Sequence, residues 1–409
     1  MQRIIVKNFG PLKDIDLEIK DFMVFIGPNA SGKSTLAKLI YFFLKVPENI
    51  SKAYLDSFGL TNDELKSAIG VSYWSFLSYD FPTTFSTDSY IKFEYDSEKS
   101  IEFVPLTTPI HTVSFEVNYS GKIDGIFDYL SQLKSFFENK IKDKNSHTVE
   151  FTSLKYSFGD EIKSVLNYEF ENIVSLKKYY FPEGRGTLNF ESQYLPIYQK
   201  SFLDLITEAQ FFLKDILERG IKIDELVSII GGKIKKIDAN RYGLQIADKQ
   251  NIIFQLLSSG QKEVFWFLVC LFQIYKKDEP NRLFIEEPES HLFPDKQKNL
   301  IKYLTKLFNK SHSELFITTH SHYIIGVINV LINAHRIGQN RPDKVEKIIP
   351  KDIWLDKERV FVGRLKDGEL KSVYSEEAEI FDHEELTQTS GILNDEYSQL
   401  LEIEYESEK

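Results

Sequence analysis

Apolar residues fall in short, closely spaced runs along the first part of this chain. Gln2 to Asn8, Ile15 to Ile19 and Met23 to Ile26 read as strands, the first two separated by a turn at Gly10-Pro11. The third run passes into a glycine-bounded loop and then into helically spaced residues from Ser34 to about Phe43, a tight alternation that predicts an α/β core. Period-two patterning returns at Tyr90 to Tyr95, Ile101 to Val104 and Thr112 to Tyr119, which predicts an antiparallel meander. Residues from about Ile123 to Lys142 are spaced as a helix, and Thr148 to Phe158 reads as another strand. A strand at Lys178 to Phe181 stops at Pro182-Glu183-Gly184-Arg185-Gly186. One long helix or a helix pair is expected from Tyr194 to Arg219, ended by Gly220, and strands are expected around Gly232 to Ile237 and Leu244 to Leu256. Helix and strand then alternate again, beginning with a buried helix over Val264 to Tyr275. No internal repeat or sustained heptad is present, which argues against a long coiled-coil arm.

This patterning divides the chain into an N-terminal lobe (1–120), an inserted mixed or helical region (121–230), a C-terminal lobe (231–372) and a tail (373–409). From Glu376 onward the tail is acidic, with Lys409 its only lysine or arginine. Ile392, Leu393, Tyr397, Leu400 and Leu401 still space as a helix there, so a docking element is expected rather than a wholly disordered end.

With 409 residues, 42% of them hydrophobic, the chain can bury a large core as a soluble globular protein. Met1 leads directly into a strand, so no targeting segment is read, and Val264 to Tyr275 is too short to span a bilayer. Cys270 is the single cysteine, which suits a reducing cytoplasm and excludes a disulfide framework. A net charge of −11 argues against a surface tuned throughout to nucleic acid. Local basic stripes remain candidates, either Lys233, Lys235, Lys236 and Arg241 or Lys134, Lys140, Lys142 and Lys144, although solvated faces are the plainer reading.

The chemistry is concentrated in four places. Gly27-Pro28-Asn29-Ala30-Ser31-Gly32-Lys33-Ser34-Thr35 is a complete phosphate-binding loop, whose glycines let successive N–H groups turn inward while the following helix aims its positive end at the phosphates. Lys33 reaches the β- and γ-phosphates in such a loop, and Ser34 places its hydroxyl on Mg²⁺ with Thr35 beside it. Leu283 to Glu289 is an apolar strand ending in adjacent carboxylates, with Glu286 suited to the outer shell of the metal and Glu287 to polarising the attacking water. Glu314 to His322 is a strand ending in polar residues, where His320 is placed to contact the γ-phosphate or the water. His322 and His291 have weaker claims, and no cysteine or histidine cluster supports a zinc site.

The fourth place is Leu257-Ser258-Ser259-Gly260-Gln261-Lys262, small residues at the start of an apolar helix and therefore a second anion site. Since the chain already has one loop for its own γ-phosphate, a second is useful mainly when it faces the nucleotide of another molecule. A head-to-tail dimer with two composite sites follows.

As an ordered set these motifs resemble the ABC-type ATPase heads of the SMC, RecF and OLD-like group, known broadly as AAA family ATPases. Asn8-Phe9-Gly10-Pro11-Leu12-Lys13 resembles that family's opening NFGPIK pattern, Gly27 to Thr35 its Walker A, and Leu257 to Gln261 its signature. Glu286-Glu287-Pro288-Glu289 is similar to its Walker B, Ser290-His291-Leu292 to its D-loop, and Thr319-His320 to its switch histidine. Three positions depart from the pattern: Ser259 replaces the second small residue of the usual LSGGQ, Glu286 stands for the usual aspartate, and a clear Q-loop is missing. Pro182-Glu183-Gly184-Arg185 resembles the corresponding segments of relatives, which makes Glu183 or Arg185 the candidate there, Glu183 at the metal.

The resemblance implies an α/β, ABC/SMC-like P-loop ATPase head with an antiparallel β subdomain and an inserted helical region, using ATP and Mg²⁺. It further implies a homodimer or higher even oligomer that acts as a conformational switch on a separately encoded effector, in the setting of bacterial anti-phage defence. The competing reading is an SMC- or RecF-like ATPase acting directly on DNA, which would make nucleic acid a partner. A transporter subunit fits poorly, because the interval from Lys33 to Ser258 is far too long. A fused nuclease also fits poorly, because no Asp-x-Asp pair or histidine cluster follows His322.

Overall fold

Alternating burial in Arg3–Phe9 (β1) and Leu12–Glu18 (β2) pairs them as an antiparallel hairpin, whereas Phe22–Ile26 (β3) is buried at every position. A strand apolar on both faces belongs in the middle of a covered sheet, and β3 lies there. The computed structural model describes residues 1–56, 64, 69–70, 73, 85–106, 114–143, 148–170, 172–183, 197–219, 229, 232–237, 242–246, 250–253 and 257–382.

After β3 come α1 (Lys33–Asp56), then β4 (Phe85–Glu94), β5 (Ser100–Leu106) and β6 (Ser114–Tyr119), the expected meander. Next are α2 (Gly121–Asp143), α3 (Thr148–Phe170), β7 (Lys177–Phe181) and α4 (Ile197–Glu218). A separate small sheet holds β8 (Lys233–Lys236), β9 (Tyr242–Ile246) and β10 (Gln250–Ile253). The chain continues through α5 (Ser259–Lys277), β11 (Asn281–Glu286), α6 (Pro294–Ser311), β12 (Glu314–Thr319) and α7 (His322–Gly338). β13 (Val360–Lys366) and β14 (Glu369–Ser372) complete the main sheet.

That sheet has eleven strands in the order β6-β5-β4-β1-β2-β14-β13-β3-β12-β11-β7. From β13 to β7 its neighbours run parallel, and from β6 to β2 they run antiparallel. Side chains of β3 alternate between two cores. Phe22, Val24 and Ile26 pack with α5, α6 and α7, while Met23 and Phe25 pack with α1, the meander, α2 and α3. The parallel register brings the carboxyl ends of β3, β7, β11 and β12 to one edge, the place where open α/β sheets present ligand-binding groups.

Several sequence expectations change here. Thr148 to Phe158 is not a strand but the first half of α3, because Phe158, Ile162, Leu166 and Phe170 are buried at four-residue spacing. Helix α1 runs past Phe43 and through Pro47 to Asp56, since Leu44, Val46, Ile50 and Tyr54 continue its buried face. Their burial outweighs the roughly 3 kcal/mol that an interior proline costs a helix. The span Leu244 to Leu256 contains the end of β9 and the whole of β10, which pair antiparallel. Lys134 is no surface cation: it is buried, 3.6 Å from Glu138 on the next turn. Lys140 lies over the Phe136 ring, and Lys144 and Arg241 are outside the described residues. So are Ile392, Leu393, Tyr397, Leu400 and Leu401 of the tail.

No described helix is long and apolar enough to cross a membrane.

Candidate functional site

The loop between β3 and α1 is shaped by backbone that side chains rarely adopt: Ala30 has φ 59° and Gly32 φ 102°. Gly27 has a different reason for lacking a side chain. A Cβ there would stand 2.2 Å from the Leu365 carbonyl oxygen, because β13 runs directly alongside. A Cβ on Gly32 would meet Leu12 at 2.6 Å and Pro11 at 3.0 Å, so the β1–β2 turn buttresses the loop from below. This contact gives the Asn8 to Lys13 motif a physical role. Lys33 is buried and its ammonium donates to the Gly27 and Pro28 carbonyl oxygens at 3.0 and 2.8 Å, which holds it across the loop. Ser34 and Thr35 follow, half-buried, on the first turn of α1.

Four carboxylates face this cation. Burial pushes the Lys33 ammonium below its ordinary pKa, opposed by Glu287, Glu289, Glu183 and Glu286 in that order. Glu286 ends β11 and is almost fully buried; its Oε1 accepts from the Tyr180 hydroxyl at 2.5 Å and its Oε2 from the Glu183 N–H at 2.9 Å. Lys38 of α1 stands 3.9 Å from Oε1. Glu183 thus reaches the site, although through its backbone, while Arg185 lies outside the described residues.

Glu287 sits in the left-handed region at φ 43°, a strained conformation that clusters at functional sites. Burial, and then the charges of Glu183 and Glu289, push its carboxyl up to about 7, with Lys33 pulling the other way. Its Oε1 lies 2.9 Å from Nε2 of His320. Burial and the Lys33 charge hold that imidazole below its ordinary pKa, against a hydrogen bond to the Gly27 backbone. When ionised, the Glu287 carboxylate is placed to accept a proton from water.

Ser258 caps α5: Gln261 N–H donates to Ser258 Oγ at 3.3 Å, and Ser258 N–H donates to Gln261 Oε1 at 3.1 Å. Ser258 and Ser259 are exposed. A Cβ on Gly260 would meet the His291 ring at 2.8 Å, and His291 Nε2 is 3.5 Å from Glu263. His291 therefore braces the signature turn. The Ser258 carbonyl also accepts from the Lys262 N–H at 2.9 Å, so the turn passes directly into the helix. His322 begins α7, its ring against Tyr323.

The oxygen donors of Ser34 and Glu286 suit a hard cation such as Mg²⁺, which is commonly held by one or two side chains together with substrate phosphates. Among the described residues no group of three or more His, Cys, Asp or Glu is arranged to hold a metal by itself, so phosphate oxygens would complete the shell.

Sequence reasoning missed Tyr180, Leu365 and the role of Glu289. Tyr180 looked like one more apolar strand residue, and its partner is 106 positions away. Leu365 acts through a backbone carbonyl, which no side-chain pattern reports. Tyr180→Phe is expected to cost about 1–3 kcal/mol by leaving a buried carboxylate oxygen short of a donor. Urea unfolding checks it; an unchanged midpoint would mean that the hydroxyl does not support Glu286.

The family model described as AAA ATPase domain matches residues 1–325. No curated protein sequence matches the chain. Among solved structures, an SMC head bound to the C-winged helix domain of ScpA is 14% identical with a TM-score of 0.38, over 92% of this chain and 98% of that one. The SMC head domain from Thermotoga maritima is 11% identical with a TM-score of 0.33, over 80% and 90% of the two chains. The recombination mediator protein RecF is 16% identical with a TM-score of 0.30, over 91% and 97%.

Proposed function

The chain belongs to the AAA ATPase domain family, and from that premise we propose that it is an ATP-driven switch: two copies close head to tail around ATP, and hydrolysis releases them. The observation that carries the reading is the Glu287–His320 pair, 2.9 Å apart and facing the Lys33 loop. In this scheme the loop N–H groups and Lys33 hold the β- and γ-phosphates. Ser34 and Glu286 would hold Mg²⁺, which when bound neutralises phosphate charge. Glu287 accepts the proton of the attacking water, and His320 orients Glu287.

The dimer follows from the signature turn. Its exposed Ser258 and Ser259 head α5 and offer an anion site, and in this scheme the γ-phosphate it meets is that of a second copy, because the chain's own γ-phosphate is held by its own loop. Closure then depends on the difference in affinity between ATP and ADP states. The effector is a separately encoded protein of a bacterial anti-phage system, a setting that rests on the family resemblance, and the chain itself carries no nuclease.

Glu287→Gln should block hydrolysis and leave closure intact. On a sizing column this variant is expected to double in apparent mass with ATP and Mg²⁺ and to revert with ADP. A monomer unchanged by ATP would overturn the switch.

A further inference from the structure

Two residues beyond Glu287, the chain places a third carboxylate that the hydrolytic scheme does not use. Glu289 Oε1 accepts two hydrogen bonds, from the Thr319 hydroxyl and from the His320 N–H, each at 2.7 Å. Thr319 is fully buried, and its Oγ1 in turn accepts from the Ser321 N–H at 2.9 Å. The turn that carries His320 is thereby tied to the loop that carries Glu287. A second tie runs beside the first: the Ser321 hydroxyl donates to Gln297 at 2.6 Å, and Gln297 donates to the Leu292 carbonyl at 2.9 Å. Glu289 itself is fixed by its turn, since Leu292 N–H donates to its carbonyl and Ser290 N–H to that of Glu287.

We propose that Glu289 is a positioning residue for hydrolysis, which through one carboxylate oxygen anchors the Thr319–His320 turn and so sets the imidazole against Glu287. The inference rests on the reading of Glu287 and His320 as the hydrolytic pair. Its physical basis is geometric. A strand end has no backbone partner left to orient it, and the His320 N–H finds its acceptor in a side chain from the neighbouring strand's loop. Two charge-assisted bonds onto one oxygen fix both the position and the direction of the turn. A glutamine keeps that oxygen as an acceptor; an alanine removes it. The two variants therefore separate anchoring from charge.

The test is a double-mutant cycle on kcat at saturating ATP, with affinity for a fluorescent ATP analogue measured alongside. Glu289→Ala is expected to lower kcat about 10-fold or more while analogue binding stays within about 2-fold, and Glu289→Gln should keep most of the rate. In a His320→Ala background, Glu289→Ala should add almost nothing, because the group it positions is gone. Without nucleotide, the His320 imidazole NMR signal should move in Glu289→Ala and stay in place in Glu289→Gln. Fully additive losses, a Glu289→Gln as slow as the alanine variant, or loss of analogue binding in Glu289→Ala would each overturn the positioning role. A His320→Ala with undiminished kcat would instead overturn the hydrolytic reading itself, and the two failures are distinguishable.

Discussion

Replacing Lys33 with alanine is expected to weaken ATP binding by about 100-fold or more, a larger loss than removal of a surface cation could cause. Lys33 is buried, and its ammonium is held by two carbonyl oxygens of the Gly27–Thr35 loop, which in the proposed scheme receives the phosphates. Charge interactions there are screened far less than at the surface, and deleting one partner of a buried charged set commonly costs 3–5 kcal/mol, where each 1.4 kcal/mol is tenfold in affinity. The variant also removes from beside Glu287, Glu289, Glu183 and Glu286 a cation that interacts with all four. Repulsion of an incoming polyphosphate by those carboxylates adds to the lost attraction. Since Lys33 is what pulls the Glu287 carboxyl down, its removal pushes that group further up, and residual hydrolysis should need higher pH than in the wild type. Titration with a fluorescent ATP analogue checks the first effect. Binding within tenfold of wild type would show that the loop backbone alone carries the phosphates.

The division between what the chain's pattern revealed and what it concealed follows the range of each interaction. The phosphate loop, the β11 carboxylates and His320 announce themselves through residue types at short fixed spacings, and the meander through period-two stretches such as Phe115, Val117 and Tyr119 of β6. These signals are local. α3 misled because its first turns are as compatible with alternation as with helix, and only the burial of Phe158, Ile162, Leu166 and Phe170 against α1 and α2 decides it. Glu286 illustrates the harder case. Its place after an apolar strand points to the metal, yet the Tyr180 hydroxyl and the Glu183 N–H donate to its two oxygens from the end of β7. The longer arm of glutamate, compared with the usual aspartate, lets one carboxylate lie between β7 and the base of α1, where Lys38 approaches it. Whether a side chain at a strand end meets the ligand, a neighbouring strand or both depends on strand order. No linear spacing encodes the order β3-β12-β11-β7.

Activity and stability should move in opposite directions when Glu287 is changed. Its carboxyl is pushed up to about 7 by burial and by Glu183 and Glu289, so it is largely protonated at pH 6 and ionised at pH 8. Only the ionised form can take a proton from water, and kcat/KM reports groups of the free enzyme. The kcat/KM profile is therefore expected to rise about tenfold per pH unit on its acid side and to level off near pH 7. Glu287→Gln should lower the plateau by about 10²–10⁴-fold and remove that limb. For stability the sign reverses. A folded-state pKa above the unfolded one means that the native protein binds more protons between about 4.5 and 7, so this group's contribution is fully present at low pH and is lost as pH rises through 7. Glutamine does not ionise and incurs no such loss. The variant should thus be more stable than wild type at pH 8, by about 1–3 kcal/mol once partial exposure and the His320 contact are allowed for, with the gap closing toward pH 5. Urea midpoints of both proteins at the two pH values check this. A variant that is slower and also less stable at pH 8 would mean that Glu287 contributes to packing rather than being held at an energetic cost for proton transfer.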